Sequence, residues 1–228
     1  MEEKVSSALS LALKAYDPEN QAGAEVIDDR VTGVQCFIRR RGDTLTVAFR
    51  GSDSKKDWQT NLAFGLQPVP WEVSSGSRVH RGFAEAYRMP QTRLRIQSLI
   101  LPGVRRVTVC GHSLGAALAV LCAADVKKNY PTVSVEAYLF GCPRVGNRAF
   151  CREYDRAVSH TLRVENGNDI VTKLPLRIMG YRHVGKVFRI GVKRWPVIVS
   201  VNDHRPENYV KEMKKALPVS TGRAGRDR

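Results

Sequence analysis

A chain of 228 residues, 43% of them hydrophobic, has the size and composition of one globular domain with a sizeable core, which excludes a disordered or low-complexity protein. Its 37 Lys and Arg against 22 Asp and Glu give a formal net charge of +15. That charge leaves three readings open: a solvated basic surface, attraction to an anionic membrane, or nucleic-acid binding, the last without any accompanying nucleic-acid motif.

In chain order, Met1-Glu-Glu-Lys4 is acidic where a signal peptide is basic, so no cleaved leader is expected. Val5, Ala8, Leu9, Ala12 and Leu13 stand at helical spacing within 4–16, and Asp17-Pro18 ends the pattern. The runs 35–39 and 44–49 flank Arg41-Gly-Asp43 and predict a β-hairpin. Residues 82–101 read as a helix broken or kinked at Pro90. A β-branched run, 105–110, then leads into Gly111-His112-Ser113-Leu114-Gly115, and an Ala/Leu-rich helical pattern extends to 130. Beyond it are expected a strand at 133–140, a helix at 146–158, a strand at 160–164, a hairpin from 181–190 and 195–201, and a last helix over 203–217. Residues 218–228 are small, polar and basic, and are expected to be a disordered tail on a single domain spanning 1–217. Strands alternating with helices imply an α/β fold with a mostly parallel sheet, extended by antiparallel hairpins at both ends. The longest apolar stretch, 116–124, is too short to cross a bilayer, so a soluble protein is expected.

Gly111-x-Ser113-x-Gly115 between a strand and a helix is a tight turn with a serine at its apex. The backbones nearly touch there, and glycine two residues either side of the serine admits the approach. A serine hydroxyl needs a base to take its proton, and the base needs a carboxylate to fix its tautomer. After Ser113 the candidate acids are Glu136, Glu165, Asp169 and Asp203. Asp169 is preferred, because it lies in a Gly/Asn-rich loop directly after a strand; a turn-capping aspartate is the ordinary alternative. Only His183 and His204 follow it. His183 sits in an alternating run and is expected to face solvent or pack on the sheet, whereas His204 lies at a strand-to-helix transition and is preferred as the base. His112 adjoins the serine in sequence, which aims its side chain elsewhere. For an oxyanion, one donor is the Leu114 amide at the helix start, and a second fits the Phe49-Arg-Gly-Ser52 loop, through Ser52.

Five elements in one order resemble the class 3 (fungal-type) lipases of the α/β-hydrolase superfamily. They are Thr46-Val-Ala-Phe-Arg-Gly-Ser52, Val79-His-Arg-Gly-Phe83, Val109 to Ala119 around the serine, Tyr138-Leu-Phe-Gly-Cys-Pro-Arg-Val-Gly-Asn147, and Asn168-Asp-Ile-Val-Thr-Lys-Leu-Pro175 running on to His183. Carried over position by position, the resemblance implies Ser113 as nucleophile, Asp169 as acid, His204 as base, and Ser52 with Leu114 as oxyanion hole. It also implies a lid at 53–64, with Trp58 and Leu62 on one face and Asn61 able to accept a bond from the oxyanion serine. Lysines at 55 and 56 weaken the expectation of strong interfacial activation. The implied activity is hydrolysis of carboxylic esters of acylglycerols, with phospholipase A1-like or short-chain carboxylesterase activity as the alternative and a non-catalytic binding module as the remote one. The implied partners are lipid ester at an interface and an anionic membrane surface, with no specific nucleic acid; no metal or organic cofactor is implied. The five cysteines are odd in number and mostly sit in apolar patterns, so buried free thiols and an intracellular, reducing setting are expected.

Overall fold

The β-branched run ahead of Ser113 becomes the middle strand of a seven-stranded sheet. In the computed structural model, residues 2–16, 23–29, 31–51, 65–71, 76–195 and 199–217 are described. Ser52, the segment 53–64 with Trp58, Asn61 and Leu62, and the tail 218–228 lie outside the described residues.

The sheet has the order β1 (Glu25–Asp29), β2 (Val34–Arg41), β3 (Thr44–Phe49), β6 (Arg106–His112), β7 (Ser134–Phe140), β9 (His160–Asn166) and β11 (Lys186–Ile190). From β3 onward every pairing is parallel, and β1–β2–β3 is the antiparallel end. Alternation divides the strands between two cores. Val107, Val109, Ala137 and Leu139 face one way, towards α4 (Leu114–Asn129). Ala48, Cys110, Phe140 and Val164 face the other, towards Val5, Leu9 and Ala12 of α1 (Glu2–Lys14) and Tyr209 and Met213 of α6 (Pro206–Ala216). Helix α4 is buried nearly all round from Gly115 to Ala123, as its Ala/Leu-rich composition requires. No described helix is long and apolar enough to cross a membrane.

A smaller antiparallel sheet, β4 (Leu66–Pro68), β5 (Arg78–His80), β8 (Gly146–Asn147) and β10 (Tyr181–Arg182), stands beside the main one. The helix expected over 82–101 divides at Pro90 into α2 (Arg81–Tyr87) and α3 (Arg93–Ser98). Helix α5 (Arg148–Ala157) begins later than expected, because the Asn147 carboxamide caps the Phe150 amide at 2.9 Å.

The expected carboxyl-terminal hairpin is corrected. Gly185, at φ +66°, turns the chain out of the small sheet, and β11 then runs parallel along β9. Ser200 makes a single parallel bridge to Asp169, while 196–198 lie outside the described residues. Period-two alternation is the same for a parallel edge strand as for a hairpin arm, so sequence does not distinguish them. The last helix starts at Pro206 rather than 203, because a 3-10 turn, Asn202–His204, precedes it. All five cysteines are buried free thiols.

Candidate active site

Ser113 is the only non-glycine residue with positive φ among the described residues, at φ 57°, ψ −125°. Such a conformation costs about 1–3 kcal/mol and persists only where its surroundings enforce it. Here the Ser113 amide donates to the Phe140 carbonyl at 2.9 Å, and the Ala116 amide donates to the Ser113 carbonyl at 3.0 Å. A Cβ on Gly111 would lie 2.4 Å from the Gly115 carbonyl, and one on Gly115 would lie 2.4 Å from the Phe49 carbonyl oxygen. Both glycines are therefore dictated by backbone crossing backbone. The turn sets the serine at the carboxyl edge of the sheet, at the amino end of α4, with the Leu114 amide next in the chain.

Asp169 follows β9 and is 1% exposed. One carboxylate oxygen, Oδ1, accepts the Val171 amide at 2.8 Å. The other, Oδ2, accepts the Tyr209 hydroxyl at 2.6 Å and stands 2.9 Å from His204 Nδ1. The far ring nitrogen, Nε2, is 2.8 Å from Ser113 Oγ. With the carboxylate taking the Nδ1 proton, Nε2 is left to accept from the serine hydroxyl. Burial and the neighbouring Asp169 charge push the Tyr209 phenol well above its usual range, so it stays a donor.

The remaining candidates have other partners. Asp203 ties the base loop to the acid loop: Oδ2 accepts the Asn168 amide at 2.8 Å, and both oxygens pair with Arg194 at 2.7–2.8 Å. Glu136 pairs with Lys4 at 3.0 Å, and Glu165 with the buried Arg163. His183 donates Nε2–H to the Thr172 carbonyl at 2.8 Å, behind the acid loop, and burial lowers its pKa to about 3.

Sequence reading assigned no task to His112, Tyr16 or Gly141. The His112 ring stacks on that of His204, with centroids 4.6 Å apart at 26°. Its Nε2 faces the His204 carbonyl at 2.9 Å; a carbonyl only accepts, so Nε2 carries the proton. Burial and the adjacent His204 lower its pKa well below the ordinary value, leaving Nδ1 to accept from the Tyr16 hydroxyl at 3.1 Å. Gly141, at φ +58°, forms the floor: a Cβ there would lie 2.9 Å from His204 Cε1 and Nδ1, and 3.1 Å from Asp169 Oδ2. Gly51 brings the end of the β3 loop against the same group, since a Cβ would come 2.8 Å from the His112 carbonyl oxygen. Arg144 steadies the chain after the acid, donating to the Pro175 carbonyl at 2.7 Å and to that of Lys173. Of these only Tyr16 lies outside the quoted sequence elements; its contact with His112, 96 positions away, forms across the fold.

A serine on a strained elbow, linked through an imidazole to a buried carboxylate, is an arrangement able to deprotonate the hydroxyl as it attacks. The family model for lipase (class 3) matches residues 46–179, more than half of the sequence. The chain belongs to the class 3 lipase family. The match takes in Ser113 and Asp169 and ends before His204, the base expected from sequence, which the fold brings to the pair. The chain is 35% identical to the lipase of Rhizomucor miehei over 161 residues, covering 66% of this chain and 43% of that one. It is 32% identical to phospholipase A1-II 4 of Oryza sativa subsp. japonica over 194 residues, covering 74% and 48%. It thus spans about half the length of the curated relatives it matches. Among solved structures, a triacylglycerol lipase with a serine protease triad as its catalytic centre superposes with a TM-score of 0.74 at 25% identity, covering 89% of this chain and 92% of that one.

Proposed function

We propose that this chain hydrolyses carboxylic esters of lipids through Ser113, His204 and Asp169. The observation that carries the proposal is the unbroken hydrogen-bonded line from Ser113 Oγ through His204 to Asp169, at 2.8 and 2.9 Å. Ser113 Oγ attacks the ester carbonyl carbon as its proton passes to His204 Nε2. Asp169 stabilises the imidazolium, with Tyr209 and the Val171 amide holding the carboxylate still. The oxyanion is received by the Leu114 amide and by Ser52. Collapse expels the alcohol, which takes the proton from His204. Water, deprotonated by the same imidazole, then releases the acid and restores the serine.

Acylglycerols are the first substrate class, in line with the likeness to a triacylglycerol lipase of solved structure. Phospholipid is the second reading, supported by the likeness to a rice phospholipase A1 and by the net charge of +15, which attracts anionic headgroups. Residues 53–64 act in this reading as a lid over the cleft. The test compares initial rates on a dissolved short-chain ester, an emulsified triacylglycerol and phospholipid vesicles, with Ser113→Ala beside the parent. Loss of hydrolysis in the variant supports the chemistry, and the ranking of the three substrates assigns the class. Full activity in Ser113→Ala would refute the assignment.

A further inference from the structure

The sequence between Ile170 and Asn202 holds seven Lys and Arg and no Asp or Glu. In the structure this acid-free run supplies two loops at the carboxyl edge of the sheet, the edge that carries Ser113. One loop is 174–179, which follows the acid loop; the other follows β11 and leads to the base. Both are fixed to the triad's supports. Arg144 holds the first by its carbonyls, while Asn168 donates to the Arg194 carbonyl at 3.0 Å and its own carbonyl accepts the Ser200 amide at 2.9 Å.

These loops are also where the apolar surface gathers. Of eleven large apolar side chains exposed among the described residues, seven lie in these two loops. Ile178 is 91% exposed, Trp195 87% and Val192 78%, with Val201 beside the base loop at 52%. Lys173 and Arg189 lean on Glu165 at 3.6 and 3.9 Å, and Arg194 pairs with Asp203. Arg177, Arg182, which donates to the Arg177 carbonyl at 2.9 Å, and Lys193 remain as excess positive charge around the apolar tips. Apolar tips ringed by cations suit one kind of partner: a bilayer with an anionic surface, into which a tryptophan and aliphatic side chains insert while the cations meet headgroups. A nucleic acid would use the cations and leave Ile178, Val192 and Trp195 in water.

The geometry points to residues 174–179, 191–195 and 199–201 as a docking surface for an anionic lipid bilayer, on the edge of the sheet that carries Ser113. This deepens the proposed lipid hydrolysis by naming the surface on which it takes place. Binding is therefore read without turnover, on Ser113→Ala protein, by co-sedimentation with phosphatidylcholine vesicles and with phosphatidylcholine/phosphatidylglycerol vesicles, at low and high salt. Expected are binding to the anionic vesicles that weakens with salt, and a blue shift of tryptophan emission that Trp195→Ser removes. Ile178→Ser/Trp195→Ser and Arg177→Glu/Lys193→Glu should each weaken binding about tenfold or more. Val31→Ser, a similarly exposed residue outside both loops, should bind like the parent. Equal binding to both vesicle types, undiminished binding in both double variants, no binding at low salt, or tighter binding to duplex DNA than to anionic vesicles would each overturn the inference. Absence of ester hydrolysis by the parent would instead sink the proposed chemistry and leave the binding result standing.

Discussion

Gly141→Ala isolates the demand that the triad places on the backbone. At φ +58° the new side chain costs about 1–2 kcal/mol in the left-handed region. For a chain of this size, that lowers Tm by roughly 2–8 °C. Gly33 provides the control, at φ +70° with nothing within 4 Å of its would-be Cβ, so Gly33→Ala incurs only the conformational cost. At Gly141 the methyl would also stand 2.9 Å from His204 Cε1 and Nδ1, so the ring must retreat by about 0.5 Å to reach ordinary contact. A misplacement of 1 Å costs about a hundredfold in rate, so half of that predicts roughly tenfold and a larger retreat more. The assay is kcat on a dissolved short-chain ester beside a thermal melt for both variants. Similar melts with kcat lowered about ten- to hundredfold in Gly141→Ala alone are expected. Equal kcat in the two variants would refute the argument that Gly141 is glycine because the triad rests on it.

Three further outcomes follow from the same geometry. His204→Ala should abolish turnover of a dissolved ester, whereas His183→Ala, which removes only a bond to the Thr172 carbonyl, should keep most of it; steady-state rates decide. His112 and His183 are held neutral by burial, with folded pKa values below the ordinary 6.5, so unfolding takes up protons as pH falls below about 6.5. Stability should therefore decline towards acid, by up to about 1.4 kcal/mol per pH unit per histidine, and denaturant melts of His183→Gln should show a shallower decline than the parent down to about pH 3. Trp58→Ser should harm hydrolysis of emulsified lipid more than of dissolved ester, and equal losses would mean that 53–64 does not work as a lid.

What sequence made legible was whatever local chemistry dictates. The elbow was readable because glycine at 111 and 115 is required by contacts within one strand–turn–helix unit. Asp169 and His204 were readable from chain order and their places in loops after strands. The edge of the sheet was not: β11 alternates like a hairpin arm, and only its packing against β9 shows that it runs parallel. Strand β1 was missed because Glu25, Asp28 and Asp29 mask the short apolar signal of Val26 and Ile27. Tyr16 and His112 meet across 96 positions, and no pattern within a window of residues encodes a phenol supporting one imidazole beneath another. Asp203 was read as a possible catalytic acid; its type and place were right for a carboxylate near the base, but Arg194 and the Asn168 amide occupy both of its oxygens.

The most direct test of the central claim is labelling with a fluorophosphonate ester, which traps an activated serine as a covalent adduct, followed by peptide mass analysis. One phosphonyl group per chain is expected, on Ser113, with hydrolysis lost in step with labelling and no adduct on Ser113→Ala or His204→Ala. An adduct on another residue, or hydrolysis that persists once Ser113 is fully labelled, would contradict the claim.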